Sequence, residues 1–220
     1  MSKKVLAKIK STVLRLLPKN ARFSAIYRFR WWGGRESESA SGRGSSLAAT
    51  KRLRVQLPHI LRELKCSRLL DLGCGDFHWM SSVVLPCDYV GTDIVTTVIR
   101  RNNDRYSRDG IDFMILNAVV DPIPDDVDVV LCREVLFHLC FKDAHKVLLN
   151  IRRSKAKFLL VTQMDTGVPN VDTYTGGFRP LDLTKPPFNL PPPSDTLPDD
   201  SISLNRCIGV WTVSDLLEVT

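Results

Sequence analysis

The sequence has no apolar run as long as the roughly 18 residues a membrane-crossing helix needs, and none of its six cysteines forms a CxxC pair. The first absence argues against a helical membrane span. The second leaves Cys66, Cys74, Cys87, Cys132, Cys140 and Cys207 without the spacing of a zinc site or a disulfide framework, so a reducing, cytoplasmic compartment is expected. Acidic residues are missing from the first 35 positions, which carry ten Lys or Arg. The other 185 residues hold 21 basic and 24 acidic side chains. The body is therefore not basic, and nucleic acid is not expected as a partner, because phosphate binding needs a basic face.

What is present suits one domain with a small appendage: 220 residues, 44% of them hydrophobic, enough for a full core. Residues 1–30 form a basic N-terminal helical segment. Within it, residues 3–17 read as an amphipathic helix, with Val5, Ile9, Val13 and Leu16 at helical spacing, Lys3, Lys4, Lys8, Lys10 and Arg15 among them, and Pro18 at its end. Such a helix lies at a membrane interface, on the inner face if the chain is cytoplasmic, or packs on the domain with a solvated basic face. Residues 33–46 have the Gly/Ser composition of a linker. Residues 47–65 look helical, with Pro58 as a kink or break.

From 68 to 162 short apolar runs alternate with helical patterns. Strands are expected at 68–72, 88–93, 111–116, 127–132 and 157–162, and helices near 96–107 and 134–152. That alternation implies βαβ units: a doubly wound, mostly parallel α/β sheet with helices on both faces. Residues 163–200 hold most of the prolines and read as a binding loop. Ile208 to Val213 reads as a last strand, followed by a short helix from Ser214.

The residues that carry chemistry begin at Leu69-Leu70-Asp71-Leu72-Gly73-Cys74-Gly75-Asp76. A buried strand ends in an acid and a Gly-x-Gly turn, which lets the backbone approach a ligand closely. The acid before the glycines, and Phe77-His78 after them, depart from the phosphate-cradling GxGxxG pattern. A cationic or zwitterionic ligand end fits better, such as the amino group of S-adenosylmethionine. Asp93 closes the second strand, where an acid can accept hydrogen bonds from a ribose. Asn117 follows the third strand, and Cys132-Arg133-Glu134 the fourth.

In this order and spacing, DLGCGD, GTD, NA and DVVLCREVLFHL resemble the motifs of class I S-adenosylmethionine-dependent methyltransferases over about residues 65–165. WWGGRESESASGRGSS (31–46) and TGGFRPLDLTKPPFNLPPP (175–193) resemble a bacterial branch associated with cell-surface polysaccharides and glycolipids. The resemblance implies a Rossmann-like methyltransferase domain over 31–220, with 31–46 folding over the cofactor and 163–200 forming an acceptor loop. It implies S-adenosylmethionine as cofactor, with Asp71, Gly73, Cys74 and Gly75 around its methionine part. Asp93 would hold the ribose, Asn117 the adenine amino edge, and Cys132 the methionine amine through its backbone. The implied reaction is methylation of a sugar hydroxyl.

His138 is the candidate general base, since methylating a hydroxyl requires proton removal and a neutral imidazole suits that task. Glu134, four residues earlier, is the candidate orienting partner on a shared helical face. Gly177, Phe178 and Arg179 are the candidate acceptor contacts, the guanidinium gripping a carboxylate, phosphate or hydroxyl. Asp165 and Asp172 could join Glu134 around a divalent cation, but no tight ligand spacing supports it and no metal is expected. The acceptor could instead be a small molecule, a lipid-linked glycan or a protein side chain, and a non-catalytic binding protein on the same fold stays open.

Overall fold

The structure, a computed structural model, describes residues 3–33, 36–199 and 206–216. Gly34 and Arg35, inside the 31–46 segment, lie outside the described residues. Helices α1 (Lys3–Leu16), α2 (Lys19–Arg28) and α3 (Lys51–Glu63) precede the sheet. Strands β1 (Arg68–Leu72), β2 (Asp88–Asp93), β3 (Ile111–Ile115), β4 (Val129–Cys132), β5 (Phe158–Met164), β6 (Asp195–Pro198) and β7 (Arg206–Thr212) form one seven-stranded sheet of order β3-β2-β1-β4-β5-β7-β6. Helix α4 (Thr96–Tyr106) links β2 to β3, and α5 (Phe141–Arg153) links β4 to β5.

Strands β1 to β5 pair in parallel, while β7 runs antiparallel to β5 and to β6. The apolar runs of β1, β4 and β5 are buried on both faces, as parallel strands covered by helices must be. Leu70, Leu72 and Val130 face a core built with Ala144, Val147, Leu148 and Ile151 of α5. Leu69, Val129 and Leu131 face the other core with Leu53, Leu57, Ile60 and Leu61 of α3. Both helices supply an apolar stripe at i, i+3 or i+4, and i+7 or i+8 spacing. The doubly wound sheet read from the sequence is what the structure contains.

Four local readings need correction. Pro58 does not break α3; it is buried inside the helix, where the surrounding leucines and Ile60 hold the turn against one lost backbone hydrogen bond. The helix expected from 134 starts only at Phe141, because Glu134 takes a left-handed φ of 60° and residues 136–138 form a separate 3-10 turn. Residues 213–215 form a 3-10 turn as well. The segment 163–200 contains β6, an edge strand beside β7.

The strand order reverses between β1 and β4, which lie side by side although β1 leads to β2. Ligands of open α/β sheets bind beyond the carboxyl ends of strands at such a point.

Candidate cofactor and acceptor site

A cavity of about 290 Å³ opens at that edge. Its floor is the turn after β1. Gly73 and Gly75 have φ of 75° and 59°, and the amides of Gly73 and Cys74 both donate to the Thr92 carbonyl at 2.8 Å. A Cβ on Gly73 would come within 2.5 Å of Val135, and one on Gly75 within 2.1 Å of the Ser41 hydroxyl. Glycine is needed here for conformation and for space.

Two buried carboxylates line the cavity, Asp71 and Asp93. Burial pushes Asp71 up to about 7, although the Tyr89 hydroxyl donates to it at 2.8 Å and Arg133 is near. Burial likewise pushes Asp93 up to about 6, against hydrogen bonds from the amides of Val95, Gly75 and Ile94 and from the Tyr27 hydroxyl. Such groups resist ionising until a cation or a set of donors arrives. At the far end lie Leu116, Asn117, Ala118, Val119 and Val120. The Asn117 side-chain oxygen accepts the Val119 amide at 3.1 Å, the turn chemistry Asn favours. Its carbonyl is therefore engaged, and its NH2 is left as the group to offer a ligand. The Cys132 side chain is fully buried in the core, as a contact through its backbone alone allows, and the next residues, Arg133, Glu134 and Val135, line the cavity.

Glu134 is not on a helical face with His138. Its carboxylate meets Arg206 at 2.6 Å and Arg133 at 3.3 Å. Burial pushes Glu134 up, but these two guanidinium groups outweigh it and hold it below the ordinary carboxylate value. Asp199 completes the cluster, 2.8 Å from Arg133 and 3.0 Å from Arg206. Arg133 also donates to the Gly44 carbonyl at 2.8 Å, so the cluster fastens the 39–46 segment to the sheet edge.

His138 lines the cavity. Its Nδ1 lies 2.6 Å from the Gly177 carbonyl oxygen. A carbonyl only accepts, so Nδ1 carries the hydrogen and Nε2 is the bare nitrogen of the neutral ring. Burial pushes His138 below the ordinary imidazole value, prevailing over the Gly177 contact and the Glu134 charge. Trp32 stacks on the imidazole with centroids 4.7 Å apart and planes 21° apart.

The other acceptor candidates divide. Gly177 acts through its carbonyl, and the exposed Phe178 ring lies 6.0 Å from His138. Arg179 is buried; it donates to the Leu139 carbonyl and covers the Phe141 ring at 4.6 Å, and it is not among the residues lining the cavity. Asp165 accepts the Gly167 amide and Asp172 the Phe141 amide. Among the described residues no group of His, Cys, Asp and Glu could hold a metal ion.

Sequence reasoning expected the 31–46 segment over the cofactor but missed the part α2 plays in this second wall. Lys19, Phe23 and Tyr27 of α2 line the cavity with Trp32, Ser41 and Ser45. Lys19 pairs with buried Asp143 at 2.9 Å, Arg22 donates to the Thr175 carbonyl at 2.8 Å, and the Thr175 hydroxyl donates to Asp143. Asp76 is the anchor of the covering segment. It accepts from the Ser39 hydroxyl at 2.9 Å, the Ala40 amide at 2.6 Å and the Ser41 hydroxyl at 3.1 Å. The sequence signal for this anchor was serine at 39 and 41 facing an acid directly after the glycine turn.

Residues 70–156 match the family model of a methyltransferase domain. Over these residues the chain is similar to that family, and its Rossmann-like sheet is the fold of a solved methyltransferase domain. No curated protein matches it. Among solved structures it is similar to PigF with SAH, at 12% identity and a TM-score of 0.55 over 87% of this chain and 62% of that one. It is also similar to the methyltransferase domain of bacterial CtHen1, at 15% identity and 0.53 over 74% and 99%. Human N-acetylserotonin methyltransferase in complex with SAM is 21% identical with a TM-score of 0.48; the match covers 67% of this chain but 42% of that protein's length. The first two likenesses carry the fold. The likeness to a methyltransferase domain implies S-adenosylmethionine as cofactor, and the cavity fits it: a glycine cradle that a Cβ would fill, two buried carboxylates whose pKa burial raises, and an apolar end with a free amide NH2.

Proposed function

We propose that the chain transfers a methyl group from S-adenosylmethionine to a hydroxyl oxygen of a sugar or glycan, in the cytoplasm. The observation that carries this reading is His138, whose Nδ1 is committed to the Gly177 carbonyl and whose ring burial keeps neutral. The cofactor supplies an electrophilic methyl on a sulfonium. In a complex Asp71 would receive its ammonium, Asp93 its ribose hydroxyls, and the 116–120 end its adenine, with the Asn117 NH2 as donor. His138 Nε2 takes the proton from the acceptor hydroxyl as the oxygen gains the methyl. A base held neutral near pH 7 suits an alcohol, which must lose a proton as it reacts. Trp32 and Phe178 beside His138 offer apolar faces of the kind sugar rings stack on. Closure of the 39–46 segment over the cavity excludes water from the donor.

The test follows labelled methyl from S-adenosylmethionine into monosaccharides and lipid-linked sugars. This reading expects an alkali-stable ether product, and a His138→Gln variant that keeps affinity for S-adenosylhomocysteine while losing turnover. An alkali-labile ester, an N-methyl product, or full turnover in the variant would contradict it.

A further inference from the structure

Helix α1 is turned the wrong way round for a helix that merely packs on a domain. Ile9, Val13 and Leu16 are 46%, 40% and 81% exposed, while Leu14 is 5% exposed. At about 100° per residue these three lie within roughly 60° of one another, and Leu14 lies roughly opposite. Arg15, next to Leu14, lies over the Tyr174 ring at 4.6 Å, which fixes the same inward side. The body therefore holds α1 from the Leu14 side and leaves the apolar stripe partly open to water, most fully at Leu16. An isolated exposed leucine is ordinary, but a continuous helical stripe is not.

The charge of the segment selects the occupant. Helix α1 contains four lysines, one arginine and no acidic residue, and no acid occurs before Glu36. Stripe-to-stripe pairing of two copies would bring two such helices together and oppose like charges. An anionic lipid surface takes the stripe into its acyl boundary and neutralises the cations at once. No described helix is long and apolar enough to cross a membrane, so the contact is with the surface.

We propose that α1 is a surface anchor that seats the protein on membranes rich in anionic lipid, through Ile9, Val13 and Leu16. The anchor does not depend on which acceptor is methylated, and it is tested without any turnover.

The full chain is floated with vesicles of phosphatidylglycerol and phosphatidylcholine, and with vesicles of phosphatidylcholine alone. The proposal expects flotation with the anionic vesicles, at least about tenfold weaker binding to the neutral ones, and loss of binding in high salt. The variant carrying Ile9→Gln, Val13→Gln and Leu16→Gln keeps every charge; it should keep the wild-type melting temperature and bind the anionic vesicles at least about tenfold less. Equal binding to both vesicle types would overturn the proposal. So would binding unchanged in the variant, or a wild-type dimer that ignores vesicles and that the variant dissociates. If the variant loses stability, the salt and lipid dependence of the wild type alone decides.

Discussion

Trp32 lies flat on His138, ring centroids 4.7 Å apart. The indole belongs to the segment that covers the cavity and the imidazole to the turn after β4, so covering segment and candidate base form one unit. Burial lowers the His138 pKa from its ordinary 6.5. The neutral, proton-accepting ring then persists below pH 6.5, and activity is lost only as pH falls through the lowered value. The acid limb of kcat should have its midpoint below 6.5. Trp32→Ala lets water reach the ring, which should move the midpoint up toward 6.5 and lower kcat. His138→Gln should lower kcat by about 10²-fold or more. A midpoint at or above 6.5 in the wild type would count against the base assignment.

Asp71 should make cofactor binding release protons. Burial raises it to about 7 and Asp93 to about 6, while a bound ammonium favours the ionised form. Affinity for S-adenosylhomocysteine should rise with pH up to about 7, changing by as much as about tenfold per unit below pH 6. Calorimetry in two buffers of different ionisation enthalpy should give two different apparent enthalpies. Identical enthalpies would rule out the coupling.

The same raised value has a stability consequence. An acid whose folded pKa lies above its unfolded value stabilises the fold at low pH, and that contribution is lost as pH rises through about 7. Asp71→Asn should therefore raise the ligand-free melting temperature at pH 8, by about 2–4 °C per kcal/mol relieved, while weakening ligand binding. An unchanged or lower melting temperature at pH 8 would show that Asp71 is already compensated.

The strands were legible because buried parallel strands need apolar runs, and β1, β2, β4 and β5 have them at Leu69, Tyr89-Val90, Val129-Val130 and Leu159-Leu160. The glycine turn and Asp93 were legible because their conformations and positions admit few residue types. The place of α2 at the cavity was not, because Phe23, Ile26 and Tyr27 are divided between core and cavity and give no clean stripe. The region 134–140 misled because Glu134 interrupts an otherwise helical pattern with a left-handed turn. The partners of its carboxylate, Arg133 and Arg206, lie in part 72 residues away. Asp76 was read only as the end of a motif, since its serine partners lie 35 to 37 residues earlier.

Asp76 should control the covering segment. Asp76→Ala removes three donors' acceptor at once, each charge-assisted bond being worth about 1.5–3 kcal/mol. Residues 36–46 should become protease-sensitive, and S-adenosylhomocysteine should bind about tenfold or more weakly, with β-sheet circular dichroism retained. Wild-type proteolysis and affinity in the variant would show that the segment is held by other contacts.

Gly44 tests the ion cluster from the same segment. A Cβ there would meet the Glu134 carboxylate at 2.1 Å, and that carboxylate is pinned by Arg206. Gly44→Ala should cost about 1–3 kcal/mol of stability, and Gly44→Ala with Glu134→Ala should recover part of it. Strict additivity of the two changes in denaturant melts would refute the contact.

The central claim is that the cavity at the ends of β1, β2 and β4 holds the methyl donor. Calorimetric titration with S-adenosylhomocysteine, with NAD as control, tests it most directly. The account predicts one-to-one micromolar binding of S-adenosylhomocysteine, no binding of NAD, and loss of the signal in a Gly75→Val variant that keeps its fold. Failure of the wild type to bind, preference for NAD, or undiminished binding in that variant would contradict it.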